Sequence, residues 1–258
     1  MKDIIKDKWR FIGFKKYKGS MNMAIDESIS QAIYKKRGNA VNTLRLYGWI
    51  PSCVSVGFFQ DIKKEVDLDT AKDMSVDVIR RLTGGGAVFH EHEITYSLII
   101  SEKYATEDIV ESYEEICSCL IKGLSKLGIN PVFKPINDIL LNGKKISGSA
   151  QTRMNGTLIQ HGTILLDLDV DKMFRLLKVP DEKIKDKIIS NVKKRVTCLN
   201  DELESEVSIE KISQYIKKGF EEVFNINFIE SELTEDEISL AKKLEKEKYS
   251  TKEWIYQR

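Results

Sequence analysis

Apolar residues return at helical spacing between residues 19 and 36, at Met21, Ile25, Ile29, Ala32 and Ile33. Lys35, Lys36 and Arg37 before Gly38 then form a helix-stop signature. Short β-like runs follow at Thr43 to Tyr47, Cys53 to Phe58 and Val76 to Leu82, and another at Thr95 to Ile100 beyond the charged loop around His92. A second helix is predicted from about Ile109 to Leu127. Val110, Tyr113, Cys117, Leu120, Ile121 and Leu124 lie on its apolar side, and Gly128 closes it. Residues 131–166 return to strand character, with Asn142-Gly143 as a hairpin turn. From Val170 onward the pattern is helical, and the last part is charged and amphipathic. Helices and strands intersperse without a strict βαβ rhythm. That predicts an α+β fold with mixed, largely antiparallel sheets flanked by helices.

Composition narrows the class. At 258 residues the chain suits one large domain or two small ones, and 41% hydrophobic with 31% charged residues suits a packed core. Its 41 Lys+Arg balance 40 Asp+Glu, so no global positive charge seeks a nucleic acid. No apolar run reaches the roughly 18 residues of a membrane span. The start, MKDIIKDKWRFIGF, lacks the apolar core of a secretory signal. The four cysteines, Cys53, Cys117, Cys119 and Cys198, show no C-x-x-C pair and no zinc spacing, and read as reduced structural thiols. The expectation is a cytoplasmic protein of one domain, 1–258, with no membrane or nucleic-acid partner.

Three segments carry candidate chemistry. In the first, Arg80-Arg81-Leu82-Thr83-Gly84-Gly85-Gly86-Ala87-Val88-Phe89-His90, three glycines allow close backbone approach to a ligand, and two arginines offer forked donors for phosphate or carboxylate. The same residues also read as a glycine-rich hairpin with exposed arginines. The pattern is neither a P-loop nor G-x-G-x-x-G before a helix. In the second, Asn137-Asp138 offers hard oxygens for Mg²⁺. Alternation there puts Lys145 and Ser147 on one strand face and Ile146 on the other, while Gly148, Ser149 and Ala150 leave little bulk beside them. Alone, such a lysine is more often a solvated charge. In the third, Gln160-His161-Gly162 interrupts an apolar strand, where a histidine is usually a hydrogen-bonded core group. A metal site of His90, His92 and His161 has only weak support, because no spacing recruits His161.

Together and in this order, these segments resemble the lipoate-protein ligase A / octanoyltransferase family, relatives of the biotin ligases. The resemblance also covers Met21 to Glu27, Pro51 to Gln60, Arg195-Val196-Thr197 and the closing Lys248 to Trp254. It implies a biotin/lipoyl-ligase-like catalytic domain that acylates a lysine of a lipoyl carrier domain, either the glycine-cleavage H protein or a 2-oxoacid dehydrogenase E2 subunit. Family ligases activate lipoate with ATP to lipoyl-AMP, whereas the transferases move octanoyl or lipoyl from a thioester or lipoylated protein, commonly through an enzyme cysteine. Many features resemble the transferases, yet the stretch where their nucleophile lies is here PVFKPINDILLN, residues 131–142, without cysteine. The reading is therefore an ATP-dependent lipoate-protein ligase, with an octanoyl- or lipoyl-transferase as the alternative. An inactive carrier-binding or lipoate-sensing module, and a biotin ligase, are more distant readings.

Full-length ligases continue into an accessory domain. VPDEKIKDKI, residues 179–188, and the following KKRV are similar to bipartite ligases, in which a separate small protein supplies that part. Ligase chemistry would make Lys145 the catalytic cation, with Mg²⁺ at Asp138. Arg81 and Gly84 to Gly86 would hold the phosphate and lipoyl carbonyl, and Arg80 would guide carrier or diphosphate. Asn137, Ala87, Gly148, Ser149, Ala150 and Gly162 would complete the binding site, with His90 and His161 shaping it. The runs Phe58-Phe59 and Val88-Phe89 would line an apolar tunnel for the acyl chain. Arg80/Arg81 or Lys193-Lys194-Arg195 would steer an acidic carrier to the site.

Overall fold

The computed structural model describes residues 8–35, 41–179 and 185–258. The strands are β1 (Lys8–Tyr17), β2 (Thr43–Trp49), β3 (Cys53–Val56), β4 (Asp77–Arg80), β5 (Val88–His90), β6 (Glu93–Ser101), β7 (Val132–Lys134), β8 (Asp138–Leu141), β9 (Lys144–Met154), β10 (Thr157–Leu165) and β11 (Asn227–Glu230). The helices are α1 (Gly19–Tyr34), α2 (Ile62–Glu65), α3 (Leu68–Asp73), α4 (Ile109–Leu124), α5 (Val170–Leu176), α6 (Lys185–Arg195), α7 (Leu199–Glu202), α8 (Ile209–Val223), α9 (Glu235–Leu244) and α10 (Lys252–Ile255). An eight-stranded sheet runs β11-β1-β2-β6-β10-β9-β8-β7, and a three-stranded one runs β4-β3-β5. β1 pairs in parallel with β2 and β11, β3 pairs in parallel with β4, and the other pairings are antiparallel. The fold is α+β and mixed.

Period-two alternation explains why the large sheet is covered on both sides. Ile94, Tyr96, Leu98 and Ile100 of β6 enter one core with Ile116 and Leu120 of α4 and Ile212, Ile216 and Phe220 of α8. On the opposite face Ile99 joins Ile159 of β10, Tyr47 and Trp49 of β2, and Met23, Ile25 and Ile29 of α1. The small sheet has its own core, with Val54, Val56 and Phe89 against Ile62, Ala71 and Leu176.

Local signals set the boundaries. Asp108 caps α4 by accepting from the N–H groups of Val110 and Glu111, and Gly128 closes its last 3₁₀ turn at φ 85°. Asn142 and Gly143, at φ 51° and 80°, turn β8 into β9. α1 ends at Tyr34; the expected stop through Lys36, Arg37 and Gly38 lies outside the described residues, as do residues 180–184 of the VPDEKIKDKI segment.

Two strands depart from the expected pattern. β1 is buried only from Trp9 to Ile12; beyond it Gly13, Lys15 and Lys16 are exposed and Phe14 and Tyr17 half-buried. β11 is a four-residue edge strand, with only Phe228 buried, inside the stretch predicted as helical. No helix among the described residues is long and apolar enough to cross a membrane.

Candidate active site

A cavity of about 330 Å³ opens where the α1-facing side of the large sheet meets the small sheet, within the size range of small-molecule sites. The large sheet supplies Tyr47 and Trp49 from β2, Thr95 from β6, and His161, Thr163 and Leu165 from β10. In β2 and β10 these residues are two apart, so one face of the pleat makes the wall. β9 adds the run from Ser147 to Ala150 with Lys145, and the small sheet adds Ser55 and the turn from Gly85 to His90. Met23, Met173, Val192 and Val196 close the apolar side.

Arg81 is the best-anchored charge in this wall, 5% exposed. All five of its N–H donors are taken by neutral oxygens of the chain. Nε donates to Thr83 Oγ1, one terminal nitrogen to the Ser55 carbonyl and hydroxyl, and the other to the carbonyls of Gly84 and Gly86. Burial pulls its pKa down to about 10. The expectation that this fork would grip phosphate or carboxylate is therefore corrected: Arg81 binds the glycine turn and leaves no donor over. The turn also presses on the residue that follows β3, where a Cβ at Gly57 would stand 2.1 Å from the Gly85 carbonyl oxygen.

Arg80 departs further from expectation. Alternation along β4 sends neighbouring side chains to opposite sides, and Arg80 lies outside the cavity at 0% exposure. It donates to the carbonyls of Gly57, Phe58, Gln60 and Ile255, pinning the C-terminal segment to the end of β3. Neither arginine forms a surface patch that steers a carrier. Phe58 and Phe59 are also absent from the wall. They pack edge-on to each other at 5.0 Å, with Trp254 against Phe58 and Arg258 over Phe59. Val88 and Phe89 do line the cavity.

Lys145 lies at the rim, its side chain 41% exposed and its ammonium 2.6 Å from Asp138 Oδ1. The side chain runs over Gly148, where a Cβ would stand 2.8 Å from both Lys145 Cε and Nζ. The small residue thus makes room for the lysine itself. Asn137, also in the wall, donates from its amide to the Ser149 carbonyl, so its side-chain oxygen is the one left to face a ligand. Among the described residues no group of three His, Cys, Asp or Glu could hold a metal ion. One carboxylate fits a Mg²⁺ that draws its other ligands from nucleotide phosphates and water, and does not fit a protein-caged metal.

The histidines do not meet. His90 Nδ1 lies 2.6 Å from Glu93 Oε1 and its Nε2 lies 2.8 Å from Ser55 Oγ, with the Trp49 ring stacked on it at 4.0 Å. His161 Nε2 lies 2.7 Å from Thr83 Oγ1, and its Nδ1 lies 3.5 Å from Asp26 Oδ2. Burial pushes the His161 imidazole below its ordinary pKa, partly opposed by Asp26. His92 points outward, 57% exposed, beside Glu91. The weakly supported three-histidine metal site is not formed.

All four cysteines are free and buried, and none lines the cavity. Burial pushes the Cys117 thiol up to about 12 and the Cys198 thiol up to about 11, and raises Cys53 and Cys119 well above the ordinary value. None is a ready thiolate. Wall residues that sequence reading missed, such as Met23, Tyr47, Thr95 and Thr163, look like ordinary core positions. Only the pairing of two sheets shows which face they serve.

The profile of the lipoyl protein ligase A/B catalytic domain matches residues 18–221, most of the chain and all the strands that build the cavity. The chain belongs to this family. It is 40% identical over 269 residues to the octanoyltransferase LipM of Clostridioides difficile, covering 96% of this chain and 98% of that relative. Among solved structures it is similar to the bipartite lipoate protein ligase of Thermoplasma acidophilum, described with its E2 lipoyl domain, with TM-score 0.87, 32% identity and 97% of both chains covered. A lipoate-protein ligase A bound with ATP superposes with TM-score 0.83 and 29% identity, over 97% of this chain and 99% of that one. Family membership makes the chain an enzyme of lipoate and octanoyl transfer. Its sequence relative is named for one chemistry and its structural neighbours for the other.

Proposed function

We propose that the chain transfers a lipoyl or octanoyl group to a lysine amine of a small lipoyl carrier domain, without forming an enzyme thioester. The observation that carries this reading is the cysteine set: four buried thiols, all with raised pKa values and none in the cavity wall. An acyl group that cannot rest on the enzyme must arrive activated. In the ligase form of the reading, a lipoate carboxylate oxygen attacks the α-phosphorus of ATP and pyrophosphate leaves. The carrier lysine nitrogen then attacks the acyl carbon and AMP leaves. Lys145 neutralises charge gathering on the phosphate oxygens and orients them, while the apolar wall takes the acyl chain. Asp138 would hold Mg²⁺ at one point, and that ion would add charge neutralisation at the phosphates. Likeness to the ATP-bound ligase supports this form. Likeness to the bipartite ligase supports a separate accessory protein and an E2-type lipoyl domain as partners.

The second reading, an octanoyltransferase, is favoured by the name of the 40% identical relative. In that form the carrier amine attacks an octanoyl thioester held in the same cavity and a thiol leaves. The two forms separate cleanly. Apo-carrier is incubated with lipoate and ATP, with and without an accessory protein, and separately with an octanoyl thioester and no ATP. Carrier mass and released pyrophosphate are followed. ATP-dependent modification with pyrophosphate identifies the ligase, and ATP-independent modification identifies the octanoyltransferase. An acyl group found on a cysteine of the enzyme by intact mass overturns the thioester-free route. No modification in either mixture, with the carrier still bound, leaves a carrier-binding module.

A further inference from the structure

The hydrogen bonds of Arg81 do more than bury a charge. Gly84 and Gly86 turn their carbonyls onto its guanidinium at 2.7 Å each. A trans peptide sets its N–H opposite its carbonyl, so the N–H groups of Gly85 and Ala87 point away from Arg81. Neither donates to another chain atom among the described residues, and both residues line the cavity. Two unpaired backbone donors on one turn make a cradle for a developing negative oxygen.

Two buried arms lead outward from Arg81. One passes from its terminal nitrogen to the Ser55 hydroxyl, on to His90 Nε2, and from His90 Nδ1 to Glu93. The other passes from Arg81 Nε to the Thr83 hydroxyl and on to His161 Nε2, where the hydrogen bonds end; His161 Nδ1 then faces Asp26 Oδ2 at 3.5 Å without a hydrogen bond, and Asp26 is itself paired with Arg45 at 2.6 Å. Arg81 can only donate and an ionised carboxylate can only accept. On the Glu93 arm each hydroxyl and imidazole therefore passes one hydrogen bond in the same direction, while on the other arm Asp26 acts on the His161 ring by its charge at 3.5 Å. Glu93 and Asp26, 5% and 2% exposed, stand outside the cavity wall.

We propose that Glu93 and Asp26 are positioning residues for the acyl-transfer reaction. Acting through His90–Ser55 and His161–Thr83, they hold Arg81, and through it the N–H groups of Gly85 and Ala87, on the oxygen that gains charge at the acyl carbon. The proposal rests on the acyl-transfer reading above. Its effect falls on the transition state, because the cradle meets full charge only there.

The test uses Glu93→Gln, Ser55→Ala and the double variant in the full chain. Transfer to apo-carrier is measured with whichever donor the wild type accepts, together with Tm and the ring ¹⁵N shifts of His90. Glu93→Gln is expected to move His90 from the Nδ1–H tautomer toward Nε2–H. Each single variant should lower kcat roughly 10- to 100-fold, with KM for the acyl donor within about threefold of wild type. Two links of one arm act as a unit, so the double variant should be no slower than the worse single. Losses that multiply, a Ser55→Ala kcat within about twofold of wild type, an unmoved His90 tautomer in Glu93→Gln, or losses that track Tm each overturn the proposal. A wild type that transfers from neither donor overturns the functional reading instead, and shows this before any variant is compared.

Discussion

Lys145 and Arg81 are cations in one wall with opposite circumstances. Arg81 is saturated by chain oxygens, whereas Lys145 is half-exposed and has one carboxylate partner, Asp138. An exposed lysine–aspartate pair adds about 0–1 kcal/mol to stability, so stability alone does not account for this pair at the cavity rim. Lys145→Ala is expected to slow acyl transfer by at least about 100-fold, while Tm moves by no more than a few degrees. Lys145→Arg should not restore the rate, because a planar fork cannot replace a compact ammonium laid over Gly148. Single-turnover transfer and thermal melts of the same preparations check both. Lys145 and the glycine turn could be singled out from residue type, spacing and resemblance, and both lie in the cavity wall. The division of labour between Arg80 and Arg81 was not legible, because adjacent identical residues carry no mark of which one a strand turns inward. Glu93, Asp26 and Ser55 escaped notice for a related reason: their significance lies in partners 3 to 135 positions away, Glu93 with His90 and Asp26 with His161 at the two extremes.

At the scale of elements, the helices and central strands follow their periodicity, and the parallel edge of the large sheet does not. β1 and β11 are held there by tertiary contacts instead. Arg10 of β1, 4% exposed, forms a two-pronged pair with Glu237 of α9 at 2.7 Å on each prong, and Glu237 also closes the capping box of that helix with Thr234. Glu237→Ala leaves Arg10 buried without its anion and should cost about 3–5 kcal/mol, read as a lower urea midpoint at neutral pH. Burial alone would raise the Glu237 carboxyl, but Arg10 and the cap more than offset it and hold the pKa below the ordinary value. A lowered folded-state pKa means this stabilisation is complete above the unfolded carboxyl value and is lost as pH falls through the folded one. The gap in midpoint between wild type and Glu237→Ala should therefore narrow on acidification below about pH 4. A gap that stays constant into acid would show that Glu237 acts through packing alone.

For the whole molecule, a net charge of +1 gives no long-range pull on any partner, so attraction must come from local asymmetry. With Arg80 and Arg81 buried, the last turn of α6 is a cluster of cations beside the cavity among the described residues, in addition to Lys145 at its rim. Val192 and Val196 lie in the wall there, and Lys193, Lys194 and Arg195 stand between them. Lys193 is engaged by Asp171 at 2.6 Å, which leaves Lys194 and Arg195 as the exposed cations of this turn that an acidic carrier would meet. Steering by so few charges is sensitive to ionic strength and acts on encounter rather than on chemistry. The value of kcat/KM for the carrier should therefore fall as salt rises from about 20 to 200 mM, and Lys194→Glu with Arg195→Glu should lower it about 5- to 10-fold at low salt. Turnover at saturating carrier should stay near wild type, since neither side chain lies in the wall. Carrier kinetics across a salt series check both expectations, and a flat series would place docking on the apolar rim instead. A neutral protein can in this way select a charged partner with one helix end, while the buried arms around Arg81 remain insulated from the field that brings the partner in.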